Sequence, residues 1–229
     1  MTHRTVQIAP NVWSVITYEE SWKSYINNYV IKNKDQFLLI DTNLRKHRNQ
    51  FQQELQYLGA VADRIEQVYC THRHPDHIGN VELFSSRNNW IHLHDYYELD
   101  DFSQTLFGHT FTGSSGEVPY LEYQLLPTHT RGSVAFFEPM NKICFVGDHL
   151  CFYGAPLGEG FGYEAGARTS YLSSIEEWKT REPHQVDGFA KGLEAFLRWP
   201  IEVLATGHGP ILQGDIPIFL KQVLKQLIS

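Results

Sequence analysis

Seven side chains in this sequence can offer a metal an imidazole nitrogen or a carboxylate oxygen, and their order reads as one two-metal site. Four stand in the short stretch Cys70-Thr71-His72-Arg73-His74-Pro75-Asp76-His77-Ile78-Gly79. His129 in Pro127-Thr128-His129-Thr130, Asp148 in Val146-Gly147-Asp148-His149 and His208 in Thr206-Gly207-His208-Gly209-Pro210 follow singly. Side chains two apart in an extended segment share a face, so His72 and His74 can grip one ion. Asp76 and His77 come after Pro75, where the chain turns into a helix, and can point back to a second ion at the roughly 3.5–4 Å spacing of paired catalytic metals. Imidazole and carboxylate suit Zn²⁺, Fe or Mn²⁺, and zinc is the first expectation.

Each cluster lies where an apolar, strand-like run gives way to a Gly- or Pro-containing loop, which is where rigid scaffolds usually carry chemistry. Short strands are expected at 6–9, 12–17, 25–31 and 37–41, forming a meander, with a helix over 45–58 closed by Gly59. A strand over 65–70 delivers the His72 cluster, a helix over 76–84 follows Pro75, and 90–93 is another strand. Residues 96–117 read as a short helix plus a loop that could cover a pocket. Strands at 123–126, 134–137 and 143–146 precede the glycine-rich segment 154–166. Helices at 169–178 and 186–199, a buried strand at 201–205 and a helix at 217–228 complete the pattern. No repeat or linker interrupts it, so one domain over residues 1–229 is expected, in an α/β layered arrangement.

With 229 residues and 42% hydrophobic content the chain can bury a substantial core. Nineteen basic against 26 acidic residues give a formal charge of -7, which supplies no pull on phosphate backbones and makes nucleic acid a poor partner. Cys70, Cys144 and Cys151 are odd in number and show no paired spacing, which favours a reducing compartment. The polar start at Met1-Thr2-His3-Arg4-Thr5 and the lack of a membrane-length apolar run make the cytoplasm the simplest localisation, with no membrane association.

A bare H-x-H carries little information, but H-x-H-x-D-H is selective. Followed by a single His, a Gly-Asp and a late Gly-His-Gly, with intervals of 52, 19 and 60 residues separating His77, His129, Asp148 and His208, it resembles the metallo-β-lactamase superfamily. The resemblance runs from Leu39-Ile40-Asp41-Thr42 to Gly209. It implies a four-layer αβ/βα sandwich of two mixed sheets with outer helices. It also implies that His72, His74 and His129 bind a first metal, that Asp76, His77 and His208 bind a second, and that Asp148 bridges them. Asn80, Thr128, Arg131 and Thr206 depart from the family pattern; none is a ligand, and loop shape and substrate are what they affect.

Beyond the ligands, Arg131, Tyr153, Phe161 and Tyr163 are candidate substrate contacts. Asp41 either orients a metal-binding imidazole or caps the helix that follows. Cys151 is read as a small apolar loop residue, His92 and His94 as surface or supporting residues, His149 as supporting or ordinary, and His3, His47, His109 and His184 as solvated.

The chemistry expected is that of a binuclear metal-dependent hydrolase. A metal-bridging hydroxide would attack the carbonyl of a small carboxylic ester, thioester or lactone, with Asp76 both ligating and holding it in line. Within the resembled superfamily, true β-lactamases are disfavoured by Asp148 and the absence of a leader. Di-iron reductases are disfavoured because His74 stands where they carry Glu and no flavin domain is attached. Glyoxalase II-like enzymes are disfavoured because only about twenty residues follow His208. Phosphodiester hydrolysis is the alternative, and a non-catalytic, metal-containing binding domain is the reading of a different class. Neither metal identity nor oligomeric state is fixed by these residues.

Overall fold

Two seven-stranded mixed sheets face each other in the computed structural model, which describes residues 3–158 and 160–229. The polar N-terminal residues Met1 and Thr2 and the side chain of His3, read as solvated, lie outside the described residues. The first sheet runs in chain order: β1 (His3–Ala9), β2 (Val12–Glu19), β3 (Ser24–Asn33), β4 (Gln36–Ile40), β5 (Ile65–Tyr69), β6 (Asn89–His92) and β7 (His109–Phe111). Its first four strands pair antiparallel, and β4 to β7 pair parallel.

Four short or medium helices accompany this half: α1 (Arg48–Tyr57), α2 (Pro75–Ile78), α3 (Leu93–Tyr96) and α4 (Asp101–Thr105). The second sheet is built from β8 (Ser115–Val118), β9 (Leu121–Leu125), β10 (Val134–Glu138), β11 (Ile143–Gly147), β12 (Phe161–Gly162), β13 (Val203–Thr206) and β14 (Ile211–Gln213), ordered β12-β14-β13-β11-β10-β9-β8. The helices α5 (Ala165–Arg181), α6 (Val186–Phe196) and α7 (Ile216–Ile228) belong to this half.

The alternation of side chains along each strand sorts the core into three apolar layers. Tyr29, Leu38, Ile40, Phe136, Ile143 and Phe145 point between the sheets. Val30, Phe37 and Leu39 point the other way, onto Phe51 and Leu55 of α1. Ala135, Phe137, Cys144 and Val146 meet Phe189, Leu193 and Phe196 of α6 and Phe219, Leu220 and Val223 of α7. Helix, sheet, sheet, helix is therefore the layer order, the sandwich that the motif pattern implied.

Two expectations need correction. The helix expected over 76–84 ends after one turn at Ile78. Asn80 turns its amide into the preceding loop, donating to the carbonyls of Thr42 and Leu44, and Gly79 packs so tightly on Asn43 and Pro75 that a Cβ there would collide with their carbonyls. Residues 96–117 hold the expected short helix, α4, and then, in place of a loop over a pocket, extend both sheets through β7 and β8; none of them lines either cavity at the ligand cluster. None of the helices among the described residues is long and apolar enough to cross a membrane.

The parallel strands β4, β5 and β6 of the first sheet and β11 and β13 of the second end on the edge that carries the candidate ligands, the position at which open α/β sheets place their sites. Cross-sheet bonds lock that edge: Val134 N–H donates to Thr71 O at 2.9 Å and Asn27 N–H to Gly207 O at 2.8 Å. Tyr29 adds a buried hydroxyl bond to Thr206 O at 2.6 Å. Truncating Phe145, fully buried between the sheets against Tyr29, should lower the unfolding free energy by about 3–5 kcal/mol. Urea denaturation of the Phe145→Ala variant measures this, and a loss under about 1 kcal/mol would mean that the inner layer is not the shared core.

Candidate metal centre

Every one of the seven ligand candidates reaches the same edge. His72 leaves the C-terminal end of β5, and Asp76 and His77 lie on α2 just beyond it. Asp148 follows β11, His208 follows β13, and His129 sits in the turn between β9 and β10. Their donor atoms fall into two groups, His72, His74 and His129 in one and Asp76, His77, Asp148 and His208 in the other, each within 4.8 Å. In the first, His74 Nδ1 stands 3.1 Å from His72 Nε2 and 2.8 Å from His129 Nε2. In the second, Asp76 Oδ2 lies 3.2 Å from His77 Nε2 and 3.1 Å from His208 Nε2.

Asp148 stands between them. Its Oδ1 is 3.3 Å from both His77 Nε2 and His208 Nε2, and its Oδ2 is 3.4 Å from His129 Nε2. Glycine before His208 is what allows this, because a Cβ at Gly207 would collide with Asp148 Oδ1.

The other ring nitrogens are held from outside, which sets their tautomers. Asp41 settles its two readings: Oδ2 accepts from His77 Nδ1 at 2.8 Å, and it also anchors Thr71 through the backbone N–H at 2.7 Å and the hydroxyl at 2.8 Å. His208 Nδ1 donates to Tyr25 O at 3.0 Å, and His72 Nδ1 meets the Thr71 hydroxyl at 3.2 Å. With those nitrogens occupied, the Nε2 atoms of His72, His77 and His208 are left to face the cluster.

Charge divides the cluster. Burial lowers the proton affinity of His72, His74 and His129, so that group presents neutral imidazoles. Burial also opposes charge on His77 and His208, yet the surrounding carboxylates of Asp41, Asp148 and Asp76 override it on His77 and raise it well above the ordinary value. Asp148 does the same for His208, pushed up to about 9. Burial alone would raise Asp76 and Asp148, but the adjacent imidazoles hold both carboxyls well below the usual range.

A pair of cations fits this donor set. Three neutral nitrogens converge at near-contact distances with too few protons to satisfy them all. The buried Nε2 atoms of His77 and His208 make no aligned hydrogen bond although carboxylate oxygens stand 3.1–3.3 Å away. Two carboxylates and five imidazoles, all intraprotein, are the hard-to-borderline donors that zinc, iron and manganese take.

Of the four substrate candidates, the structure brings one to the cluster. Tyr153 stacks its ring on His208 at 4.4 Å and donates its hydroxyl to Asp148 Oδ2 at 3.0 Å. Arg131 turns outward toward Glu98, 3.7 Å away. Phe161 packs into the layer between the sheets, and Tyr163 lies beneath the Arg168 guanidinium, 4.4 Å from its ring centroid. A charged partner, the core and a cation have each taken a side chain that its chain position alone placed near the pocket.

Cys151 stays outside the donor set: burial and the nearby Asp148 push its thiol well up. His149 is a supporting residue stacked on Phe189 at 4.4 Å, with burial pushing it down to about 3. His92 is buried and caps α3, while the exposed His94 lies 3.3 Å from Arg131 O.

Two residues went unread in the sequence. Asp95, wholly buried, accepts from Arg73 N–H at 2.8 Å, Thr130 Oγ1 at 2.7 Å and Gly132 N–H at 2.7 Å. It thereby ties the His72–His74 loop to the His129 loop. Its place just past the end of a parallel strand was the available signal. Trp22 edges onto His208 at 5.9 Å and, with Pro75 and Tyr153, walls the cavity of about 530 Å³ that opens on the cluster. Nothing in its local pattern marked it.

Residues 22–208 match the family model for the metallo-beta-lactamase superfamily. The flavo-diiron protein FprA2 of Clostridium acetobutylicum is 26% identical over 223 residues, covering 89% of this chain and 53% of that protein. A hydroxyacylglutathione hydrolase of Legionella pneumophila is 29% identical over 99 residues, 42% of this chain and 37% of that enzyme. A solved flavo di-iron protein mutant from Thermotoga maritima superposes with a TM-score of 0.79 at 16% identity, over 97% of this chain and 60% of that one, a likeness of fold. The chain spans about half or less of the length of the curated relatives it matches.

Removing the Asp41 carboxylate frees the His77 ring and should weaken cation binding at the Asp76–His77–His208 group by about 10–100-fold. Competition with a chromophoric chelator on the Asp41→Ala variant measures it; unchanged affinity for both cations would dismiss the orienting role. Cation uptake must also displace protons, so affinity should fall as pH drops below about 9, where His208 takes its proton. Calorimetry in two buffers of different ionisation enthalpy detects the released protons, and zero release would contradict the charge division described.

Proposed function

We propose, given that the chain belongs to the metallo-beta-lactamase superfamily, that its site is a binuclear metal centre hydrolysing a small-molecule carboxylic ester, thioester or lactone. The observation that carries this reading is Asp148, whose two oxygens are divided between the two donor groups. On this reading His72, His74 and His129 hold one divalent cation, Asp76, His77 and His208 hold the other, and Asp148 serves both. Zinc is the ion proposed. Two such cations, when bound, supply Lewis acidity: they acidify a water and polarise a carbonyl oxygen.

The chain's own residues have distinct tasks. Asp76, kept ionised by its imidazole neighbours, accepts a hydrogen bond from the attacking water and so aims its lone pair at the acyl carbon. The Tyr153 hydroxyl stands at the cavity wall, hydrogen-bonded to Asp148; turned from that carboxylate to the substrate, it donates to the oxygen on which negative charge develops. Trp22 and Pro75 limit bulk water on the opposite wall. The water oxygen joins the acyl carbon, the C–O or C–S bond breaks, and one water proton leaves with the alkoxide or thiolate.

The hydroxyacylglutathione hydrolase relatives support acyl hydrolysis, and the formal charge of -7 supports a small molecule over a nucleic acid. A second reading, a di-iron centre, is favoured by the flavo-diiron relative that aligns over 89% of this chain.

The deciding experiment assays zinc-loaded and iron-loaded protein on thioesters, lactones, aryl esters and bis-aryl phosphodiesters, alongside metal analysis of the protein as purified. Turnover of acyl substrates with two zinc ions supports the proposal. Turnover confined to phosphodiesters, or iron as the resident metal without acyl turnover, overturns it. His74→Ala and Asp148→Ala should lose bound metal and hydrolysis together, and a metal-free variant working at the wild-type rate refutes the assignment. Tyr153→Phe should keep both metals and lower kcat about 10–100-fold with KM little changed; equal kcat would remove Tyr153 from the mechanism.

A further inference from the structure

Beside the metal cluster lies a second, larger cavity of about 760 Å³, and His129, Asp148 and Tyr153 belong to the walls of both. Its roof is one face of α5: Ala167, Tyr171, Ser174, Trp178 and Arg181 all line it and recur every three or four residues. At 1.5 Å per residue that face is roughly 20 Å long. An acetyl group would fill only a small part of that length.

Aromatic rings line part of the cavity, among polar side chains that include Glu164, Glu177 and Arg181. Phe152 tilts against Tyr171 at 5.3 Å, and Phe189 against Trp178 at 5.2 Å. Helix α5 itself is unusual for an element of 17 residues, since only Arg168 and Ile175 on it are buried. An amphipathic helix of this length normally seats an apolar stripe on the core. Here Tyr171 and Trp178 pack against the core on one side and border open volume on the other.

We infer that this slot is the seat of a long, slender apolar acyl chain, which places the carbonyl of a medium- to long-chain acyl ester or thioester at the metal cluster. The inference rests on the hydrolase reading for its reactive end, whereas the slot and its lining stand independently of it. Three features carry it together: shared walls with the cluster, a drug-sized volume within the usual range of ligand cavities, and aromatic walls set to cover methylene groups.

Two measurements separate the inference from the reading it deepens. The first is binding without turnover: 11-(dansylamino)undecanoic acid, whose fluorescence rises in apolar surroundings, is titrated into metal-free and zinc-loaded protein. Saturable binding displaced by lauric acid is expected, weakened at least tenfold in Ser174→Trp, which fills the slot from an exposed helix position, and in the milder Ala167→Leu. The second is the ratio of kcat/KM for p-nitrophenyl laurate to that for p-nitrophenyl acetate on the zinc-loaded protein. The wild type should favour laurate, and Ser174→Trp should lower the ratio at least tenfold.

Probe binding that is blocked by these substitutions, with no ester hydrolysed, keeps the slot and discards the hydrolase. Acetate turnover with no probe binding and no chain-length preference keeps the hydrolase and discards the slot. Probe binding unaffected by both substitutions places the chain elsewhere and overturns the inference.

Discussion

Three carboxylates, Asp41, Asp76 and Asp148, are buried within reach of a single imidazole, His77. Buried negative charge persists only where positive charge compensates it, and much of the molecule answers that demand. His77 and His208 are driven to accept protons, while His72, His74 and His129 are kept neutral a few ångströms away. The result is a gradient across one small volume, with an anionic half and a lone-pair half meeting at Asp148. On the proposed reading, a pair of cations would replace the borrowed protons in the first half and satisfy the converging nitrogens in the second.

Such an arrangement requires a scaffold that does not yield to its own electrostatics. The strands ending at Ile40, Tyr69, Gly147 and Thr206 fix the backbones from which the charged groups depart. Hydrogen bonds between the sheets keep the two halves in register: Thr71 with Val134, Gly207 with Asn27. Asp95 then ties the loop of His72 to the loop of His129, so ligands from distant parts of the chain share one frame. Three apolar layers supply the stability against which this polar seam is maintained.

How much of this could be read in the residues alone follows from the range over which each feature acts. The side chains that converge in the cluster were legible because H-x-H-x-D-H and the single His, Asp and His that follow are local patterns of chemical type. The strands of the core were legible through their period of two. The edge strands β7, β8 and β12, and β14 beside β12, were not, because their pairing is decided by neighbours far along the chain. Side-chain direction in loops was least accessible. Arg131 lies two residues from His129 yet faces Glu98, and Phe161 and Tyr163 follow the turns of a glycine-rich stretch into the core and onto Arg168. Asp41 admitted two readings from sequence, and only the fold, which brings β4 beside β5, decides for the imidazole.

Helix α5 gives the molecule an uneven distribution of mutational freedom. Ala167, Tyr171, Leu172 and Trp178 pack against the core, but its exposed positions, Ser170, Ser173, Ser174, Glu176 and Glu177, can change type with little loss of folding free energy. The strand ends that carry the chemistry enjoy no such latitude. If the acyl chain inferred above lies along this helix, selection could recut what the protein accepts while leaving untouched how it reacts, and variation in chain preference would accumulate in one helix, decoupled from the inheritance of the reactive centre.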